Sequence, residues 1–235
     1  MDRRSYLASV GLAGAAATAG CMGILGDDSE EATGAVLEFP DDQQADSEDL
    51  AYPAYGQELP AFELPAPLDD TVVDTAELDE TAIFTGFFAS CPAECGILLG
   101  LLSEVQAETI DRGLVDDVSF YPITFDPPRD DAEMLRDFGS NVGVDLEAGN
   151  WHFLRPESTE EAEAIVEGEL GLAFERTDDS DRIETGYDFI HPVVTWLVNP
   201  GGVVERMYRG ERIDTTRVID DITTIVDEYD PETHG

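Results

Sequence analysis

The chain contains no lysine. All 12 of its basic residues are arginine, against 53 Asp and Glu, for a formal net charge of −41 over 235 residues. A surface this acidic repels phosphate backbones, which excludes nucleic acid as a partner. Cysteine and histidine are nearly as scarce, with three residues each. A chain this sparing with cysteine seldom places two of its three one helical turn apart by chance. With 42% hydrophobic residues the chain is too apolar to be disordered throughout. Such dense negative charge repels itself at ordinary ionic strength and is screened by concentrated salt. The composition therefore predicts a halophilic protein whose carboxylates are mostly solvated surface rather than catalytic pairs.

Long, strongly hydrophobic runs are also missing. Residues 5–26 carry no charge, but Ala, Gly, Ser and Thr dominate them, which makes a weak membrane span. Arg3 and Arg4, followed by this short segment, read instead as an export signal of the twin-arginine type. Thr18-Ala19-Gly20-Cys21 resembles the lipobox of bacterial and archaeal lipoproteins. That resemblance implies cleavage before Cys21 and a lipid on its sulfur, the alternative being an uncleaved anchor. The expected organisation is a signal peptide over 1–20, an acidic flexible tether over 21–58 and a globular domain over 59–232. The domain would lie on the extracytoplasmic face of the membrane, tethered to it.

Within the domain, "AIFTGFFAS" (82–90) and "VSFYPITF" (118–125) read as buried strands. Between them Leu98, Leu101, Leu102 and Val105 recur at helical spacing. A short helix over 132–139 closed by Gly139, a short strand over 150–154 and a helix over 158–171 follow. "VVTWLVN" and "VVERMYRG" flank Pro200-Gly201-Gly202 as a hairpin. A last helix over 215–229 has Val218, Ile219, Ile222, Ile225 and Val226 on its inner face. Strand, helix, strand, helix, hairpin and helix in that order predict an α/β thioredoxin-like fold, a mixed central sheet with helices on both faces.

Two of the three cysteines, Cys91 and Cys95, sit in "FFASCPAECGIL" at the junction of the first strand and helix. Residues i and i+4 share a helix face, so both sulfurs can point at one spot. A helix N-terminus favours thiolate, the form that attacks disulfides and binds soft metals. Pro92 suits the first helical position, whereas Glu94 opposes thiolate formation and no basic residue lies nearby in sequence. Thioredoxin-type exchange uses C-x-x-C; C-x-x-x-C keeps the sulfurs near disulfide range but also leaves a soft metal short of one or two ligands. A histidine would complete a site for copper. His234 lies in the tail, expected to be unstructured, and His152 reads as a partly buried strand residue. His191 precedes Pro192 and the strand "VVTWLVN", where it could face the cysteines as a Cys2His set. The competing chemistry is thiol–disulfide exchange, which needs Cys91 and Cys95 but not His191. Peroxide reduction would need a basic residue beside a thiolate, for which Arg129 is the visible candidate.

Three separated segments resemble the SCO/SenC family. "FFASCPAEC" matches its C-P-x-x-C motif after an aromatic strand end. "ITFDPPRDD" supplies Asp126, Pro127, Arg129 and Asp130 of D-P-x-R-D, and His191 precedes a strand ending in Asn199-Pro200-Gly201-Gly202. Ala93 and Gly96 depart from the usual C-P-D-x-C-P, Ile190 stands where an Asp usually precedes the histidine, and Asn199 replaces an Asp. The resemblance implies a membrane-tethered thioredoxin-like protein that delivers copper, Cu(I) or Cu(II), to the copper-centre subunit of a cytochrome c oxidase. It implies Cys91, Cys95 and His191 as copper ligands, with Asp126 to Asp130 shaping a loop beside them. The alternative function is a thiol–disulfide oxidoreductase acting on cysteines of that subunit or another exported protein.

Overall fold

The computed structural model describes residues 34–43, 45–91, 94–177 and 188–234. The signal segment, the lipobox and Cys21 lie outside the described residues, as does Pro92. In chain order the elements are β1 (Glu63–Ala66), β2 (Thr71–Asp74), β3 (Thr81–Phe87), α1 (Glu94–Arg112), β4 (Val118–Thr124) and α2 (Ala132–Val142). There follow α3 (Thr159–Ala162), continued as a π-helix over Glu163–Glu169 so that most of the expected helix over 158–171 forms, then β5 (Glu175–Thr177), β6 (Asp188–Ile190), β7 (Val194–Val198), β8 (Val204–Arg209), α4 (Thr215–Glu228) and the single turn α5 (Pro231–His234).

The central sheet has the order β4-β3-β7-β8. β3 and β4 are parallel, which requires a crossover, and α1 supplies it. β7 runs antiparallel to β3, and β8 antiparallel to β7. Every residue of β3 and β7 is buried, as their unbroken apolar runs require of strands covered on both faces. β3 is therefore interior to the sheet, and its C-terminal end carries the cysteine loop. α1 buries Leu98, Leu99, Leu102 and Val105, and α4 buries Val218, Ile219, Ile222 and Ile225; the two helices pack on each other. Asp131 and Asp214 cap α2 and α4 by accepting from the N–H groups of their first turns. Residues 150–154 lie parallel to β4 through the bridges Phe120–Trp151 and Ile123–Leu154. Among the described residues no helix is long and apolar enough to cross a membrane.

Three expectations change. α2 does not stop at Gly139; it runs to Val142, and Gly143 takes the left-handed cap with φ 89°. Gly139 is a packing glycine: a Cβ there would stand 2.9 Å from Cε2 of the buried Phe153 ring. His234 is not in a loose tail. It ends α5, accepts from the Asp230 N–H at 3.0 Å and lies beside the Tyr229 ring. The hairpins β1-β2 and β5-β6 were not anticipated; each strand has only three or four residues, too few for a visible alternation.

The largest correction concerns the tether over 21–58, because its described part from Gly34 onward packs on the domain. Leu37, Ala54 and Tyr55 are buried. The fully buried Glu205 of β8 accepts from the Val36 and Leu37 N–H groups at 2.7 and 2.9 Å. The Trp196 indole donates to the Pro53 carbonyl at 2.9 Å, and a Cβ on Gly171 would overlap the Ala51 carbonyl. These are partners that only the folded chain supplies, so local composition, which is acidic and small, could not reveal them.

Candidate metal centre

The cysteine loop begins where β3 ends. The Phe87 carbonyl accepts from the Phe125 N–H (3.0 Å), and a turn closes with the Cys91 N–H donating to Phe88 O (3.2 Å). The Ala89 N–H donates to Asp130 Oδ2 at 2.9 Å, tying this loop to the one that follows β4. The same Asp130 oxygen accepts from Thr124 Oγ1. Asp130 is wholly buried, and burial pushes its carboxyl up to about 6, the Thr124 and Ala89 hydrogen bonds opposing. Arg155 donates to the Asp130 and Pro127 carbonyls, both at 2.9 Å, and Arg129 pairs with the buried Asp126. The D-P-P-R-D loop is thus a rigid brace for the cysteine loop.

Cys95 stands in the first turn of α1 and is buried, while Cys91 is half-buried. Neither is joined in a disulfide. The Cys95 N–H donates to Cys91 Sγ at 3.4 Å, holding that sulfur over the helix start, and the Cys91 thiol lies 3.8 Å from Glu94 Oε2. The Cys91 hydrogen bond pushes the Cys95 thiol well up, with burial and the charges of Cys91 and Glu94 adding to it; the Phe88 backbone opposes.

His191 lies just before β7, which is antiparallel to β3, so the histidine arrives at the level of the β3 end. Its ring centroid is 4.9 Å from that of Phe125 and 6.0 Å from that of Phe88, three residues before Cys91. His191 Nδ1 is 2.9 Å from the Pro192 carbonyl. A carbonyl only accepts, so Nδ1 carries the proton and Nε2 keeps its lone pair. Burial lowers the imidazole pKa, opposed by the Pro192 carbonyl and by Glu94 and Asp188, so the ring is neutral at pH 7. The His191–Pro192 peptide is trans.

Among the described residues no three His, Cys, Asp or Glu side chains converge closely enough to hold a metal ion. The fold brings the two cysteines together at the start of α1 and sets His191 on the aromatic floor near them, without closing the three into one ligand set. The donor chemistry nonetheless suits a soft metal: two sulfurs and one neutral imidazole with a free nitrogen. The other expected candidates have acidic partners of their own. His152 pairs with Asp69 at 3.0 Å and stacks on Tyr121, and Arg129 lies over the Phe88 and Phe189 rings, its charge met by Asp126.

A mixed sheet with a cysteine pair where a central strand meets a helix defines a thioredoxin-like protein. The profile of the SCO1/SenC family matches residues 56–227, and the chain belongs to that family. Three similar solved structures share its fold. A SCO1/SenC family lipoprotein from Bacillus anthracis is 21% identical, with TM-score 0.59, covering 72% of this chain and 94% of that one. ScoI of Arabidopsis thaliana, solved with copper bound, is 21% identical with TM-score 0.58, covering 72% and 98%. BsSco, a member of the Sco family of cytochrome c oxidase assembly proteins in which a disulfide switch was identified, is 21% identical with TM-score 0.58, covering 75% and 96%. No curated protein matches the chain significantly.

Proposed function

We propose that this protein binds copper as cargo through Cys91, Cys95 and His191 and passes it to the copper-centre subunit of a membrane oxidase. Its export as a lipoprotein anchored through Cys21 belongs to the same proposal. The observation that carries it is the meeting of two cysteine sulfurs at the start of α1, where the Cys95 N–H donates to Cys91 Sγ, near an imidazole whose Nε2 keeps its lone pair and whose ring is neutral. A Nδ1–H bonded to a backbone carbonyl is the outer support that metal-ligating histidines require. Loading releases thiol protons, and Cys95, pushed well up, parts with its proton least readily, so copper affinity falls as pH falls. Ligand exchange with the recipient then moves the ion without breaking any substrate bond.

The test is Cu(I) titration of the reduced full chain in concentrated KCl. One equivalent is expected for wild type and none retained by Cys95→Ser. For His191→Ala the affinity should fall by at least the ~10–100-fold that loss of an outer-shell partner causes. Absence of stoichiometric copper in wild type would sink the proposal, and indifference to His191 would remove the third ligand.

A second reading, thiol–disulfide exchange with an exported partner, is supported by the asymmetry of the pair. The half-buried Cys91 is open to attack by or on a partner, and the buried Cys95 is placed to resolve the mixed disulfide. That activity should survive His191→Ala, which separates the two.

A further inference from the structure

Four of the 12 arginines in the chain fall within residues 206–217, in a molecule of net charge −41. Three of them, Arg209, Arg212 and Arg217, line one cavity of about 210 Å3 with Asp42, Asp214 and Tyr208. Gly210, with φ 83°, turns the chain between Arg209 and Arg212 so that both reach the same recess. The carboxylates there are already engaged. Asp42 is locked in a two-pronged pair with Arg217, both contacts at 3.0 Å, and Asp214 caps α4 by accepting from the Thr216 and Arg217 N–H groups. Arg212 has only a loose contact with Glu211, at 3.7 Å and three-quarters exposed. Arg209 has no ion pair or side-chain hydrogen bond among the described residues. Arg209 and Arg212 therefore line the recess without a close carboxylate partner, its Asp42 and Asp214 being engaged by Arg217 and the α4 N-terminus, an arrangement that can receive a carboxylate bidentately.

The position of the recess gives it a use. Arg209 pairs with Val194 in the sheet, and the Gly210 N–H donates to Val193 O at 2.9 Å, two residues from His191. The recess thus opens at the same end of the sheet as Cys91 and His191. β8 lies two strands from β3, roughly 10 Å at the usual strand spacing. A net charge of −41 repels an acidic partner, and three arginines around one recess offset that repulsion locally.

We propose that the Arg209–Arg212 recess anchors an acidic segment of the partner protein whose metal- or thiol-bearing loop docks at Cys91 and His191. The proposal rests on the functional reading above for the identity of that site. The anchor sets the register of the partner and selects partners that carry Asp or Glu about 10 Å from their cysteines.

The probe is a fluorescent synthetic peptide with a cysteine pair and, four residues away, three glutamates. Its twin carries glutamines instead. Both are titrated with the full chain by anisotropy in concentrated KCl, where a recessed bidentate contact survives screening. The glutamate peptide is expected to bind at least tenfold more tightly. The double variant Arg209→Gln, Arg212→Gln should lose that preference while loading copper as wild type does. Equal affinity for the two peptides, or a preference that survives the double variant, overturns the proposal. Flotation with anionic phospholipid vesicles that depends on the two arginines, with both peptides bound alike, also overturns it and makes the recess a headgroup site. If the chain takes no copper yet keeps an arginine-dependent glutamate preference, the copper reading fails and the anchor stands.

Discussion

Two buried carboxylates show how single residues set this fold. Asp130 ties the cysteine loop to β4 from a position with no exposure. Its folded pKa of about 6 lies above the ordinary 3.8, so the native state holds the proton more tightly than the unfolded chain does. Its stabilising contribution is therefore complete below pH 3.8 and lost as pH rises through about 6. At about 1.4 kcal/mol per pH unit the loss is about 3 kcal/mol. Asn keeps an acceptor for the Ala89 N–H without the charge. Chemical denaturation at pH 4 and pH 7 should show Asp130→Asn gaining on wild type by about that amount over the interval; parallel curves would refute the assignment. Glu205 explains a departure from the family pattern, where Asn199 stands for an Asp. The Asn199 amide donates to Glu205 at 2.6 Å and to Gly34 O at 2.8 Å, while its oxygen accepts from Gly201 and Val203. An Asp could accept but not donate, and it would bring a second carboxylate against a buried one. Asn199→Asp is expected to lose about 3–5 kcal/mol at pH 7, and less at acid pH, by the same measurement.

At the scale of elements, the sequence pattern located all four strands of the central sheet because buried strands need long apolar runs. Helix ends were harder to read, since a glycine can either cap or pack. Gly139 looked like a stop, but the Phe153 ring occupies the space where its side chain would be. Gly139→Ala should gain about 1 kcal/mol of helix propensity and lose 1–3 kcal/mol to overpacking. A net fall in thermal midpoint is expected, and a rise would show that Phe153 yields. Cys91 and Cys95 were legible as a pair because i and i+4 spacing is local. The brace from Asp130 to Ala89 was legible only as a motif, since a tie across 41 residues leaves no spacing signal.

For the whole molecule, the N-terminal arm and the surface charge matter most. Trimming the chain to begin at residue 59 removes the Val36 and Leu37 donors to Glu205 and the Pro53 acceptor of Trp196, and uncovers Val203 and Val204. Each stranded buried polar group costs about 1–3 kcal/mol. The protein beginning at 59 should therefore melt well below one beginning at 34; equal midpoints would restore the tether reading. A net charge of −41 predicts that the melting midpoint rises steeply with KCl and that the fold loosens in dilute buffer. Circular dichroism against salt concentration checks this, and a flat response would remove the halophilic reading.

The sequence by itself determined the apolar strands, the helix that crosses between them and the two sulfurs at its start, because each depends on neighbours within a turn or a strand. Tertiary structure decided which distant groups meet. It set the direction of His191 on Phe88 and Phe125, closed the arm onto Glu205, and laid the Pro53 carbonyl against the Trp196 indole. Those contacts join residues far apart in the chain, and their energies come from burial, which only the folded molecule creates.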